Sequence, residues 1–272
     1  MQAAIATVLE GPPTGGGRLV ERELELARLG AAVERARRGC GALVVVEGHA
    51  GLGKSRLLEA ASESARRAGV TVLGARGSEL EAGAAHGVVL QLLEPCLARA
   101  SAGERTTLLA GAAARAEPLL AGRGLAPGDQ IAHALCHALS RVVSNLAERA
   151  PVLLVVDDAQ WADEASLRFL AYLAARLDRL PVALAVVVEP TRTGASRLLL
   201  ERLATEPAAD VVLPAPLSTA GVASMLRNAL GRDPDEAFAR ACAQVTGGIP
   251  FLVRELGRGL ARERIAPRAA SA

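Results

Sequence analysis

Apolar residues recur along this chain in two rhythms. Short runs with almost nothing polar in them, ALVVVE (42–47), VTVLGA (70–75), PVLLVVDD (151–158), PVALAVVVE and ADVVLP, have the look of strands covered on both faces. Between them lie longer stretches in which apolar positions return every three or four residues, the spacing of one helix face. ERELELARLGAAVERARRG is such a stretch and is ended by Gly39 and Gly41. A second runs from about Lys54 to Ala68, and DEASLRFLAYLAARL follows the third strand. Residues 86–149 are mostly helical in pattern, interrupted by AGRGLAPGDQ. From about Ser218 the pattern predicts three helices with no strands between them, the last opened by GGIP.

Strands alternating with helices predict an α/β fold in which a parallel five-stranded sheet lies between helices. The strand-free end predicts a small C-terminal helical lid. The expected organisation is a flexible segment over 1–17, closing on GPPTGGG, then a core over 18–216 and a lid over 217–272.

Composition narrows what such a fold can do. Aromatics are only 2 % of 272 residues, which argues against single-strand nucleic-acid binding by ring stacking. A net charge of +2 gives no basic field for a polyanion, so no direct nucleic-acid binding is expected. No apolar run approaches the roughly 18 residues of a membrane span, and the N-terminus lacks the pattern of a secretion signal. Four widely spaced cysteines (Cys40, Cys96, Cys136, Cys242) read as reduced, buried side chains. The expected location is cytoplasmic.

One residue type is used once. Lysine and arginine total 31, and the single lysine is Lys54, inside GHAGLGKSRLL (48–58). Gly48, Gly53, Lys54 and Ser55 fit G-x-x-x-x-G-K-[ST], directly after a buried strand and opening a helix, which is the setting the motif requires. Gly48, Gly51 and Gly53 let the backbone curl so that its N–H groups surround phosphate oxygens. The helix N-terminus adds partial positive charge. Lys54 brings a compact ammonium to the β- and γ-phosphates, where a planar guanidinium fits poorly. Ser55 offers a hydroxyl to Mg²⁺. The cradle accordingly comprises His49, Ala50, Leu52 and Arg56 as well, with His49 contributing its backbone. At the end of the third strand, Asp157 is the candidate Mg²⁺ ligand, directly or through water. Asp158 is placed to polarise the attacking water as a general base.

Together these motifs resemble the ATPase module of large LuxR-type (LAL) bacterial transcriptional regulators, within the signal-transducing STAND class of AAA-like P-loop ATPases. RLVERELELARL is similar to the family's opening Gly-Arg-Glu segment, ARGSELEAGAAHGVVLQLLEP to a stretch typical of the group, and VDDAQWADEASLRFLAYLAARL to its acidic-strand signature. VTGGIPFLVREL resembles its lid motif. The resemblance implies a P-loop NTPase fold, binding of ATP and ADP with Mg²⁺, and Val20, Arg22 and Pro250 near the adenine. It implies a nucleotide switch in signal transduction or transcription regulation, with weak hydrolysis of ATP to ADP and phosphate in which Asp158 and Lys54 act. In relatives the chain continues into sensor and DNA-binding domains, which are not in this sequence.

Three positions depart from the pattern. Glu21 stands where the opening motif has Gly, which adds a side chain near the adenine. Ile249 replaces Asn in the lid motif. Glu189 takes the place of an Arg that senses the γ-phosphate, and an acid beside a triphosphate is unfavourable by like-charge repulsion. Arg192, three residues on, is a candidate replacement. Glu189 motivates a second expectation: a non-hydrolysing, nucleotide-bound interaction module with a protein partner or self-association through the lid. A P-loop small-molecule kinase ranks third. His133, Cys136 and His137 share a helix face, but in IAHALCHALSRVV core packing outweighs a zinc site. Trp161 reads as a packing anchor.

Overall fold

A computed structural model describes residues 19–123, 129–190, 195–263 and 267. Its element order is α1 (Glu23–Arg37), β1 (Ala42–Glu47), α2 (Lys54–Arg67), β2 (Thr71–Arg76), α3 (Gly87–Arg99), α4 (Ala102–Leu108), α5 (Glu117–Leu120) and α6 (Asp129–Ala147). There follow β3 (Val152–Asp157), α7 (Glu164–Ala174), β4 (Val182–Val188), α8 (Ala195–Ala204), β5 (Ala209–Val212), α9 (Thr219–Leu230), α10 (Glu236–Thr246) and α11 (Pro250–Arg262). The flexible lead over 1–17, part of AGRGLAPGDQ and Arg192 lie outside the described residues.

All five strands pair in parallel in the order β2-β3-β4-β1-β5. This is the expected α/β fold, and the apolar runs explain it. In β1 every residue from Ala42 to Val46 is buried, with Leu43 and Val45 on one face and Ala42, Val44 and Val46 on the other. Helices α1 and α2 cover the second face, while α3–α8 cover the first. Alternate residues of one strand thus feed two separate apolar layers, which leaves no polar face to show in the sequence.

Beyond β5 a third, smaller cluster gathers Leu217, Val222, Leu226, Phe238, Cys242 and Val253 from α9–α11, with Val20 packed against it. Capping residues set these helices: Ser218 accepts from the Gly221 N–H, Asp235 accepts from that of Phe238, and Pro250 opens α11. Among the cysteines, Cys96 and Cys242 are buried, Cys136 is half-buried, and Cys40 is exposed because it follows the last turn of α1. The expectation that all four are buried fails there. No described helix is long and apolar enough to cross a membrane.

Candidate functional site

β1 runs between β4 and β5, so the loop after it opens at the carboxyl edge of the sheet's interior. In open α/β sheets that edge is where ligands bind. The loop has the conformation its glycines permit: Gly51 and Gly53 take φ of 83° and 84°. Gly53 is also the residue preceding α2, so the first N–H groups of that helix point into the curl.

Lys54 is 8 % exposed and folds back over the loop, donating to the carbonyls of Gly48 (2.7 Å) and His49 (2.8 Å). Burial pushes its pKa below the usual lysine value, against the opposing pull of Glu189, Asp158 and Asp157. These three acids face the ammonium from the ends of β3 and β4. Ser55, one residue on, hydrogen-bonds the Asp157 carboxylate. The His49 side chain is exposed, and the only described part it plays in the loop is its carbonyl.

The adjacent acids are held differently. Asp157 is 4 % exposed, and burial raises its carboxyl above the usual range despite the Ser55 bond. Asp158 takes a left-handed backbone (φ 49°), and both of its oxygens are engaged. Arg76, from the end of β2, donates to Oδ2 at 2.9 and 2.7 Å, and Gln160 Nε2 donates to Oδ1 at 3.2 Å. Sequence reasoning missed Arg76. The signal present was Gly77: a Cβ there would lie 2.3 Å from the Asp158 carbonyl oxygen, so only glycine lets the two strand ends approach. Asp158 is therefore an ion-paired acid in this structure.

A second hidden link joins AAHGVV to WADEAS. Buried Asp163 caps α7 by accepting from Ser166 N–H (2.8 Å) and also accepts from His86 N–H (2.7 Å), while Ser166 Oγ accepts from Val89 N–H. The pairing that looks like two family motifs is one hydrogen-bond network under the site. Trp161 is half-buried beside it.

The lid touches the loop directly. Phe251 N–H donates to the Gly51 carbonyl at 3.1 Å, and a Cβ on Gly51 would meet Ile249 at 2.9 Å. Ile249 lines a cavity of about 370 Å³ with Gly48, His49, Ala50, Leu52, Pro214 and neighbouring residues. Of the GGIP segment, Ile249 is the residue that lines this cavity. Arg22 is 4 % exposed and donates to the carbonyls of Glu21, Leu52 (3.3 Å) and Ala215 (2.7 Å), which stitches the opening segment to both loop and lid linker. Glu21 sends its side chain to Ser218 at the start of α9, accepting from both its N–H (2.8 Å) and its hydroxyl. Burial opposes ionisation of Glu21, but these bonds, with Arg22 and Gly221, hold its pKa below the usual value. The Glu21 side chain thus links the opening segment to the lid.

His133 and His137 pack around Tyr172: the His133 ring meets it edge-on at 5.3 Å and His137 Nδ1 lies 3.3 Å from its hydroxyl. Arg176 covers the other part of that ring at 3.7 Å.

A glycine-rich loop between a buried strand and a helix, with lysine, serine and a strand-end aspartate converging on it, defines a P-loop NTPase. The AAA ATPase domain family matches residues 18–188, more than half of the chain, and the chain belongs to that family. A Walker-type ATPase of Pyrococcus abyssi superposes with a TM-score of 0.57 at 17 % identity, covering 90 % of this chain and 69 % of that one. The ORC2 protein of Aeropyrum pernix, solved as ADPNP-ADP complexes, gives 0.56 at 14 % identity, over 94 % of this chain and 66 % of its own. Drosophila ORC bound to DNA gives 0.56 at 12 % identity over 92 % of this chain and 58 % of that chain. At these identities the likeness is one of fold. No curated protein matches the chain.

Proposed function

We propose that the chain is an Mg-ATP-binding switch module of the STAND type, similar to the ATPase modules of LAL regulators and acting in signal transduction or transcription regulation. The observation that carries this is the direct seating of the lid on the phosphate loop, through Phe251 N–H and the Gly51 carbonyl. Any nucleotide that reshapes the loop must act on α11. On this reading the core spans 18–216, the lid follows from 217, and the protein is cytoplasmic.

The donors fit Mg²⁺. Ser55 and Asp157 are hard oxygen donors already in contact, and Asp157 is buried with its charge disfavoured, which a divalent cation would relieve. They would hold the ion, which when bound supplies positive charge to the phosphate oxygens. The chain's own residues do the rest. Loop N–H groups bind the phosphates, and Lys54 exchanges the carbonyls of Gly48 and His49 for phosphate oxygens. The cavity lined by Ile249 and Leu52 excludes water around the base, near which the family resemblance also sets Val20, Arg22 and Pro250. Asp158 orients a water and takes its proton only once Arg76 yields, since an ion-paired carboxylate is a poorer base. The same contact favours slow turnover, or none, and therefore also the alternative of a non-hydrolysing interaction module with a partner or self-association through the lid.

Titration of ATP and ADP with Mg²⁺ by calorimetry, alongside phosphate release, tests both. Lys54→Ala should weaken binding by roughly a hundredfold, on the order expected for losing a buried charged hydrogen-bond partner. Slow Lys54-dependent phosphate release supports the switch ATPase. Binding without turnover supports the interaction module, and binding that ignores Lys54 refutes both.

A further inference from the structure

Glu189 ends the fourth strand's apolar run, and its half-buried side chain turns back to the phosphate loop. Its Oε1 accepts from the Ala50 N–H of the phosphate loop at 3.1 Å. Its own N–H is fixed by Gln160 Oε1 at 3.1 Å, and the buried Gln160 is in turn tied to Asp158. The acid also acts on Lys54 more strongly than Asp158 or Asp157 does. An anion of this chain is therefore bonded to a loop N–H and faces the loop's ammonium.

Its place relative to the phosphates follows from topology. A helix N-terminus binds phosphate, so the first N–H groups of α2, after Gly53, would take the inner phosphates. Ala50 is on the opposite limb of the loop, which leaves β1, and β4 lies between β1 and β3, whose end carries Asp157 and Asp158. The space bounded by Ala50, Lys54 and the acids is the one a terminal phosphate must enter if hydrolysis occurs beside Asp158.

Resting on the nucleotide-binding reading above, we propose that Glu189 is a specificity-determining residue whose carboxylate occupies the terminal-phosphate position and makes the site select a nucleoside diphosphate over a triphosphate. ADP leaves the Ala50–Glu189 contact in place. ATP must displace it and set a γ-phosphate against the remaining charge, two like charges within a few ångströms. Lys54 can neutralise only one of the two anions.

The test is calorimetric titration of the full chain with Mg-ADP and Mg-ATP, for the native protein, Glu189→Gln, Glu189→Ala and, as a remote charge control, Glu63→Gln on the exposed side of α2. The native protein should bind ADP at least about tenfold more tightly than ATP, which corresponds to about 1.4 kcal/mol. Glu189→Gln and Glu189→Ala should each tighten ATP by about that factor while moving ADP by less than about twofold, and Glu63→Gln should move neither. Equal native affinities, or an equal gain for both nucleotides in the variants, overturns the selectivity. So does a shift of the same size in Glu63→Gln, which would make it a general charge effect. Absence of ADP binding in the native protein overturns the nucleotide-binding reading itself and is distinguishable from the other failures.

Discussion

The sheet and the lid solve the same problem with unequal means. Around the sheet, two apolar layers bury alternate residues of β1–β4, and Phe169, Leu154 and Leu167 have no exposure at all. Among the described residues the lid's own apolar cluster is small, and beside the packing of Val20 its junction with the core is made largely by directional bonds: Arg22 to Leu52 and Ala215, Glu21 to Ser218, Phe251 to Gly51. Hydrophobic burial scales with area and has no direction, whereas a hydrogen bond breaks over an ångström of movement. A platform of the first kind with a cover of the second kind is suited to a body that shifts while its support stays fixed.

The sharpest way to break this comparison is to make the same cut in both regions. Phe169→Ala in α7 and Phe238→Ala in α10 each remove a fully buried ring, at a cost of roughly 3–5 kcal/mol. In the core that loss should lower the unfolding midpoint of the whole chain. In the lid it should appear as local opening, with faster hydrogen exchange in α9–α11 and little change in β1 and β3. A single cooperative transition shifted equally by both variants would show that lid and core are one unit.

Arg22→Ala tests the junction itself. It leaves the carbonyls of Leu52 and Ala215 without a charged donor, worth about 1.5–3 kcal/mol. The expected result is new proteolytic cleavage in the linker over 213–218, with the sheet intact. Unchanged cleavage would mean that the lid is held by its other contacts, Glu21 to Ser218 and Phe251 to Gly51, without Arg22.

Glu21→Gly should be smaller still, because two effects oppose. Glycine removes the strain of a side chain at φ 54°, on the order of 1 kcal/mol, but loses the bonds to Ser218 at the start of α9. Overall stability should change by less than about 1 kcal/mol while amide exchange at Ser218 and Gly221 accelerates. A protected α9 start would show that Glu21 does not link the opening segment to the lid.

The division between what the sequence discloses and what it hides follows the same line. Strands β1, β3 and β4 are legible because burial on both faces leaves one chemistry in the run. The loop is legible because its glycines and Lys54 have no bland substitute. The polar contacts are not. Arg76 meets Asp158 only because β2 and β3 are neighbours in register, and the one local sign is the adjacent Gly77, which does not name its partner. Glu21 and Glu189 announced themselves as departures, but their destinations, Ser218 and the Ala50 N–H, lie 197 and 139 residues away.

The two aspartates at the end of β3 extend the contrast to within a single dipeptide. Asp158 has its charge satisfied by Arg76, whereas Asp157 keeps a charge that burial disfavours. Because the folded pKa of Asp157 is raised, the folded chain retains a proton that the unfolded chain has released. The stability this group contributes is complete below the ordinary carboxyl pKa and is lost as pH rises through the raised value. Asp157→Asn removes that loss. The variant should melt above the native protein at neutral pH, with the gap closing as pH falls towards the ordinary aspartate pKa, in melts run without nucleotide or Mg²⁺. With Mg-ADP added, the order should narrow or reverse, because only the native carboxylate gains from the ion. A site kept at the expense of stability is what a ligand-holding aspartate predicts. An Asn variant that melts lower at every pH would instead make Asp157 a structural partner of Ser55.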